Sequence, residues 1–313
     1  MGNTLPEKDF LNRTHHQIFG QENLDIKASV LILHGMKEHS GRYIAFAKFL
    51  AKEGYKVLIY DHPGHGKSSS NEGLGYFRKE NPHQLLIEYG KRMSDFLKES
   101  TPNKPHIIVG HSMGSFIARN MMKHSARDFD AAVIIGTGGR RPEIKWMRNT
   151  FKHLNSFAHL HKSEWFNHLF DFINSLYFIK EVPFEQDSWL SVDLENRKKY
   201  KADELKVKNF SINGFYGLFA LVEEATQKNW AENIPKDFPM LFVSGEKDPI
   251  GNFGKGVEKT VFELKKNGFS NVYCKLYDEM RHEILNEVIK ETVYQDILNW
   301  MNQQVENKNF KNI

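Results

Sequence analysis

Short, β-branched apolar segments alternate with longer amphipathic segments along most of this chain. The short segments are typical of buried strands, and the longer ones place their apolar residues at helical spacing. The predicted strands are 15–19, 28–33, 56–61, 105–110, 131–136, 239–244 and 271–277. The predicted helices are 43–53, 83–99, 113–124, 254–267 and 282–303. This alternation predicts an α/β protein with a mostly parallel central sheet and helices on both faces.

The block 141–235 interrupts the alternation, and its pattern is helical and aromatic. The aromatic residues of its first half are Trp146, Phe151, Phe157, Trp165, Phe166, Phe170, Phe172 and Phe178. We therefore predict a core made of residues 1–140 and 236–313, with 141–235 as a helical cap (lid) insertion. Because the insertion follows a central strand, it is expected to lie over the carboxyl edge of the sheet. Most of its aromatics would form its own core, and some would line a pocket.

The segment Gly110-His111-Ser112-Met113-Gly114 lies between a predicted strand and a predicted helix. A serine in that setting sits on a sharp turn that lifts its Oγ above the sheet, and a Cβ at either glycine would clash across the turn. The amino end of the following helix favours developing negative charge. Ser112 is therefore the candidate nucleophile.

A serine hydroxyl needs a base, and the base needs an orienting carboxylate; on this kind of turn the chain order is Ser, Asp or Glu, then His. Asp248 and the rival Glu246 both follow the strand 239–244. Pro249 favours an extended turn at Asp248, so we prefer Asp248. His282 is the only histidine after His168 and is the candidate base.

Two backbone N–H groups are needed to bind an oxyanion. One is expected from Met113, directly after the serine, and the other from Met36, in the loop after strand 28–33. Gly35 lets that backbone turn toward the serine. The loop Asp61–Gly66 is rich in proline and glycine, and we expect it to brace the oxyanion strand rather than to bind a metal.

Several strings together carry a resemblance to a known family. They are HGMKEHSGRY (34–43), DHPGHGKS (61–68), GHSMG (110–114), DSWLSVD (187–193) with Tyr200 and Asp203, SGEKDP (244–249) and RHEILNE (281–287). The chain resembles the monoacylglycerol lipase and lysophospholipase group of serine α/β-hydrolases, the bacterial branch in particular. The resemblance extends from about residue 10 to about residue 303.

The resemblance implies an α/β-hydrolase fold with a lid, and hydrolysis of a monoacylglycerol or lysophospholipid ester without a metal or an organic cofactor. It implies a triad of Ser112, Asp248 and His282, with the Met36 and Met113 amides as oxyanion donors. The sequence departs from many members at Lys37, where they have glycine; this adds a charge at the pocket mouth. The residues expected to bind substrate there are Gly35, Lys37 and Glu38.

Three other functions remain open. A prolyl iminopeptidase-like aminopeptidase has the same fold and triad, and Glu181, Glu185 and Asp187 could form the acidic cluster that it needs to bind a free amine. A small-ester carboxylesterase would have the same machinery with a shorter pocket. A non-catalytic binding protein would usually have a damaged triad, and this triad is intact.

The composition fits an ordinary globular protein: 40% of the 313 residues are hydrophobic and 26% are charged, with a net charge of +4. No block of Lys and Arg is dense enough for nucleic-acid binding, but the mild positive charge suits transient contact of the lid with an anionic membrane surface. Cys274 is the single cysteine, which together with the absence of an apolar leader or a long apolar run predicts a cytoplasmic protein.

Overall fold

The computed structural model describes residues 7–22, 25–70, 72–182 and 184–311. The first six residues, on which the expectation about a leader depends, lie outside these ranges. The strands are β1 (His16–Phe19), β2 (Ala28–Leu33), β3 (Tyr55–Tyr60), β4 (His106–His111), β5 (Ala131–Ile135), β6 (Met240–Gly245) and β7 (Val272–Tyr277). The helices are α1 (Glu7–Arg13), α2 (Ile44–Lys52), α3 (Pro82–Glu99), α4 (Met113–Ser125), α5 (Pro142–Ala158), α6 (Glu164–Ser175), α7 (Leu194–Ala202), α8 (Ile212–Ala225), α9 (Lys255–Lys266) and α10 (Lys290–Lys311).

The strands form one sheet in the order β1-β3-β2-β4-β5-β6-β7. Only the pairing of β1 with β3 is antiparallel; the other pairs are parallel. Every residue of β2, β4, β5 and β6 is buried, which explains why these strands are almost continuously apolar. The predicted strands and the predicted α/β-hydrolase class are confirmed.

Side chains that alternate along the strands supply two apolar cores, one on each face of the sheet. Leu31 and Ile108 belong to the core that includes residues of α3, α4 and α8. Val30 and Val109 belong to the core formed with α2 and α10. Helices therefore cover both faces, and the carboxyl ends of the parallel strands remain free to carry a site.

The last helix differs from the prediction, because α10 begins at Lys290 and not at residue 282. Residues before it form a buried loop with a single 3-10 turn at Ile284–Asn286. The carboxylates of Glu283 and Glu287 are buried in this loop and accept hydrogen bonds from the insertion. These hydrogen bonds to the insertion keep the segment non-helical, although the spacing of its apolar residues is typical of a helix. Helix α1 was not predicted at all.

The block between β5 and β6 is helical as expected, and contains α5, α6, α7 and α8. Helix α8 packs against α3 and α4 of the core as well as against α5. The ring of Phe151 on α5 lies 5.2 Å from that of Phe215 and 5.3 Å from that of Phe219 on α8. Among the residues that the structure describes, no helix has the length and apolar character needed to cross a membrane.

Candidate active site

Ser112 occupies the turn between β4 and α4, in a strained left-handed conformation with φ 52° and ψ −120°. The turn is tight enough to require both flanking glycines. A Cβ on Gly110 would lie 2.4 Å from the carbonyl oxygen of Gly114, and one on Gly114 would lie 2.1 Å from that of Leu33. The amide of Ser112 donates to the carbonyl of Ile135, 3.0 Å away, which ties the turn to β5.

His282 and Asp248 lie together, although 34 positions separate them in the sequence. The Nδ1–H of His282 donates to Oδ2 of Asp248 at 2.9 Å, and both side chains are buried. The carboxylate is held by two further donors, the Ser244 hydroxyl at 3.2 Å and the Ile250 amide at 2.9 Å. Among the described residues, the buried Nε2 of His282 has no hydrogen-bond partner. That nitrogen is therefore available as an acceptor in the cavity that His282 and Ser112 both line.

The rival carboxylate, Glu246, is exposed. It lies beside Asp278 and Glu279, and a hydrogen bond with the Asp278 carboxyl raises the pKa of Glu246 above its ordinary value. The structure thus brings Asp248, and not Glu246, into contact with the histidine.

Two aromatic residues that the sequence analysis did not single out hold the His282 ring. The Trp189 ring centroid is 4.9 Å from that of His282, and the His111 ring centroid is 4.8 Å away. The Nε2–H of His111 donates to the His282 carbonyl at 3.1 Å. Burial alone would lower the pKa of His111, but the hydrogen bond and charge of Glu38 raise it. The bond from His111 thus fixes the backbone of His282.

The loop after β2 lies against the serine, since a Cβ on Gly35 would be 3.0 Å from the Cβ of Ser112. The His62 amide donates to Nε2 of His34 at 3.0 Å. Asp61 accepts from the Ser40 amide at 2.8 Å and from the Lys67 amide at 2.7 Å. The loop of residues 61–66 is therefore bonded to the segment that follows β2.

The two amides expected to form the oxyanion hole are those of Met36 and Met113. In the part of the chain that the structure describes, neither amide donates a hydrogen bond within the protein. Both residues line the cavity shared by Ser112 and His282. Both donors therefore remain free for an acceptor beside the serine.

The three residues expected to bind substrate all have partners already. The amide of Gly35 and the hydroxyl of Tyr43 donate to Oε1 of Glu38. The guanidinium of Arg42 lies 3.2 Å from its Oε2. Burial would raise the pKa of Glu38, but His111 and Arg42 lower it. Lys37 and Glu38 line the cavity, and the ammonium of Lys37 lies 3.0 Å from Oδ2 of Asp171 on α6.

The loop that carries His282 is bonded to the segment 187–196 of the insertion. Glu287 accepts from the Ser191 hydroxyl at 2.7 Å and from the Val192 amide at 3.1 Å. The amide of Glu283 donates to the Leu190 carbonyl at 2.7 Å. Burial raises the pKa of Glu287 above its ordinary value. This part of the insertion therefore fixes the histidine loop as well as covering it.

The cavity has a volume of about 470 Å³ and is lined mainly by apolar side chains of α5, α6 and α8. These include Ile144, Met147, Phe151, Leu169, Leu218 and Val222. Trp146 and Trp165 also line the cavity, although 68% and 64% of their surfaces are exposed. They mark its boundary with solvent. A half-buried serine and a buried histidine thus open into an apolar chamber of the size typical of ligand pockets.

Residues 25–289 match the family Hydrolase_4, described as serine aminopeptidase, S33. An uncharacterized abhydrolase domain-containing protein of Dictyostelium discoideum is 26% identical over 288 residues, which are 90% of this chain and 27% of that protein. The chain thus spans about a quarter of this relative. The monoacylglycerol lipase of Mycolicibacterium smegmatis is 25% identical over 288 residues, 88% of this chain and 89% of that protein.

The fold is also found in a solved structure, that of a highly thermostable carboxyl esterase from Bacillus coagulans in complex with glycerol. The two superpose with a TM-score of 0.84 at 24% identity, over 93% of this chain and 99% of the esterase. The family match covers most of the chain, and the order of the strands and the turn at Ser112 agree with that match. The chain therefore belongs to the Hydrolase_4 family of serine α/β-hydrolases.

Proposed function

We propose that the protein is a serine esterase that hydrolyses the carboxylic esters of single-chain lipids, either a monoacylglycerol or a lysophospholipid. The observation that carries the proposal is the apolar cavity of about 470 Å³ into which both Ser112 and His282 open. Burial of each methylene of an acyl chain in such a cavity is favourable by about 0.8 kcal/mol. The relative from Mycolicibacterium smegmatis is a monoacylglycerol lipase, which supports the same substrate class.

The proposed mechanism uses an acyl-enzyme. Nε2 of His282 accepts the proton of the Ser112 hydroxyl as Oγ attacks the ester carbonyl. Asp248 holds the tautomer with the proton on Nδ1 and stabilises the imidazolium. The amides of Met36 and Met113 bind the oxyanion of the tetrahedral intermediate. The alcohol leaves with a proton from His282, and water then hydrolyses the acyl-enzyme by the same steps.

The aminopeptidase alternative requires free carboxylates to bind a substrate ammonium group. The acidic residues considered for this role are already paired with cations. Glu181 bonds to Arg281, and Glu185 and Asp187 lie 2.7 Å and 3.5 Å from the Lys201 ammonium. These pairs, together with the apolar cavity, favour the esterase. A small-ester carboxylesterase is the second candidate, distinguished only by the acyl length it prefers.

We also propose that residues 141–235 act as a cap through which the protein touches a lipid surface. Large apolar side chains are exposed along this segment, among them Trp146, Trp165, Ile173, Tyr177 and Val182. An exposed apolar patch of this kind is typical of an interaction site, and the patch adjoins the cavity. The single cysteine is consistent with a cytoplasmic location, which we propose on that ground alone.

The test compares the wild type with Ser112→Ala on matched substrates: a monoacylglycerol, a lysophospholipid, p-nitrophenyl esters and an aminoacyl amide. We expect hydrolysis of the lipid esters by the wild type and a loss of about 10⁴-fold or more in the variant, as for other triad nucleophiles. A fluorophosphonate probe should label the wild type and not the variant. Labelling that persists in Ser112→Ala, or hydrolysis of the aminoacyl amide alone, would overturn the proposal.

A further inference from the structure

We propose that the ion pair between Lys37 and Asp171 couples the position of helix α6 to the oxyanion hole, so that Lys37 is a positioning residue for the amide of Met36. This inference rests on the proposed esterase function. Lys37 lines the cavity, and the catalytic steps above do not use it. The structure shows what its side chain does instead.

The two residues are 134 positions apart in the sequence and meet across the cavity wall. The Lys37 ammonium lies 3.0 Å from Oδ2 of Asp171, and only 6% of the Lys37 side chain is exposed, against 29% for Asp171. The ammonium also lies 6.0 Å from the ring centroid of Phe170, the neighbour of Asp171 on α6. A lysine with so little solvent contact depends on its carboxylate partner, because an unpaired buried charge is costly.

The backbone at Lys37 makes this contact relevant to Met36. Lys37 has φ 59°, in the left-handed region where glycine is free of strain and a lysine is not. A residue in this conformation persists only when its surroundings hold it there. The side-chain bond to Asp171 is one such restraint, and it acts on the residue directly after Met36. The bond therefore helps to fix the direction of the Met36 amide beside Ser112.

Movement of α6 would have a defined consequence. If α6 is displaced from the cavity, Lys37 loses its partner and the turn at Met36 loses a restraint. If α6 is in place, the pair holds the turn with the amide free for an oxyanion. The movement of α6 over a bound acyl chain would then also place the Met36 amide in the position where it binds the oxyanion.

The test uses Asp171→Asn, which retains the shape of the side chain but removes its charge. The substrate is p-nitrophenyl butyrate, a short soluble ester that makes little use of the cavity wall. We expect kcat to fall by about 10- to 100-fold with KM nearly unchanged, the signature of a lost transition-state interaction. Lys37→Arg retains the charge and reach, and should retain most of the activity. Lys37→Gly relieves the backbone strain, so we expect low kcat with an unfolding midpoint equal to or above that of the wild type.

Asp296→Asn is the matched control. Oδ2 of Asp296 lies 2.7 Å from the ammonium of Lys275, and 28% of the Asp296 side chain is exposed, close to the 29% of Asp171. Asp296 does not line the cavity. We expect its kcat to equal that of the wild type. An unchanged kcat in Asp171→Asn, or a rise in KM alone, would overturn the coupling while leaving the esterase intact. A wild type without esterase activity would instead refute the proposed function.

Discussion

The cavity volume gives a quantitative expectation for acyl-chain preference. An apolar cavity of about 150 Å³ is known to hold benzene, which is about 25 Å³ for each carbon. The cavity here, about 470 Å³, would then hold a chain of roughly 18 to 19 carbons on the same scale. Each added methylene contributes about 0.8 kcal/mol, or at most about fourfold in kcat/KM. We therefore expect kcat/KM to rise with chain length and to level off near the long-chain end of a p-nitrophenyl ester series.

The informative perturbation is Val222→Trp, because Val222 lies on α8 and lines the cavity. Tryptophan adds about seven heavy atoms to the valine side chain, which at about 25 Å³ each displaces roughly six or seven acyl carbons. The chain length with the highest kcat/KM should fall to about 11 to 13 carbons. For a long-chain ester the loss has an upper limit of roughly 3,000- to 4,000-fold, from about six methylenes at about 0.8 kcal/mol each.

The assay is kcat/KM for p-nitrophenyl esters of increasing acyl length, measured below the concentration at which the longer esters aggregate. The matched control is Val288→Trp, because Val288 is 58% exposed and does not line the cavity. It should have the wild-type profile. A wild-type profile that is flat or highest at acetyl would refute the acyl-chain assignment. A profile that Val222→Trp leaves unchanged would show that the chain binds elsewhere.

Three further predictions follow from the site and its surroundings. Asp248→Asn should lower kcat/KM by about 10⁴-fold, because an amide can favour the wrong tautomer of His282, whereas Glu246→Gln should have little effect; steady-state kinetics on one ester compares them. Tyr177→Ser, at a residue that is 62% exposed and does not line the cavity, should weaken sedimentation with anionic vesicles without lowering kcat on a soluble ester, and equal sedimentation would contradict the surface contact. Burial lowers the pKa of His106 to about 4, so the unfolded state binds this proton from about pH 6.5 downward while the folded state does not. The free energy of unfolding therefore decreases as the pH falls, and His106 accounts for about 2 kcal/mol of the decrease between pH 7 and pH 5. Urea titrations of His106→Gln at the two pH values should show a decrease that is smaller by this amount.

The sheet could be predicted from the sequence because its strands are buried on both faces. A segment such as Ile107-Ile108-Val109 is apolar at every position, and this pattern does not depend on which strand lies next to it. The turn at Ser112 could be predicted for a similar reason, since its two glycines are required by local sterics. The chain order of serine, aspartate and histidine then identified candidates at the ends of three strands.

The remaining features depend on contacts between distant segments. Residues 282–289 have apolar positions at helical spacing, but Glu283 and Glu287 bond to the insertion, and the loop stays non-helical until Lys290. No local pattern specifies that Trp189 lies on the His282 ring. The role of His111 is hidden in the same way, because a histidine inside the serine motif gives no sign of its bond to the His282 carbonyl.

The bonds between the insertion and the histidine loop divide the insertion into two parts that can evolve at different rates. Glu181, Ser191 and Asn196 bond to Arg281, Glu287 and Glu283 respectively, so a change at these positions disturbs the loop that carries His282. Helices α5 and α6, which contribute much of the apolar wall, carry no such bond to that loop among the described residues. A graft of α5 and α6 from a relative, which stops before Phe178 and its contact with Arg281, would thus exchange much of the apolar cavity wall while leaving the loop of His282 in place. The graft would have to retain an acidic side chain to meet Lys37 and the asparagines at positions 155 and 167, which bond to neighbouring segments.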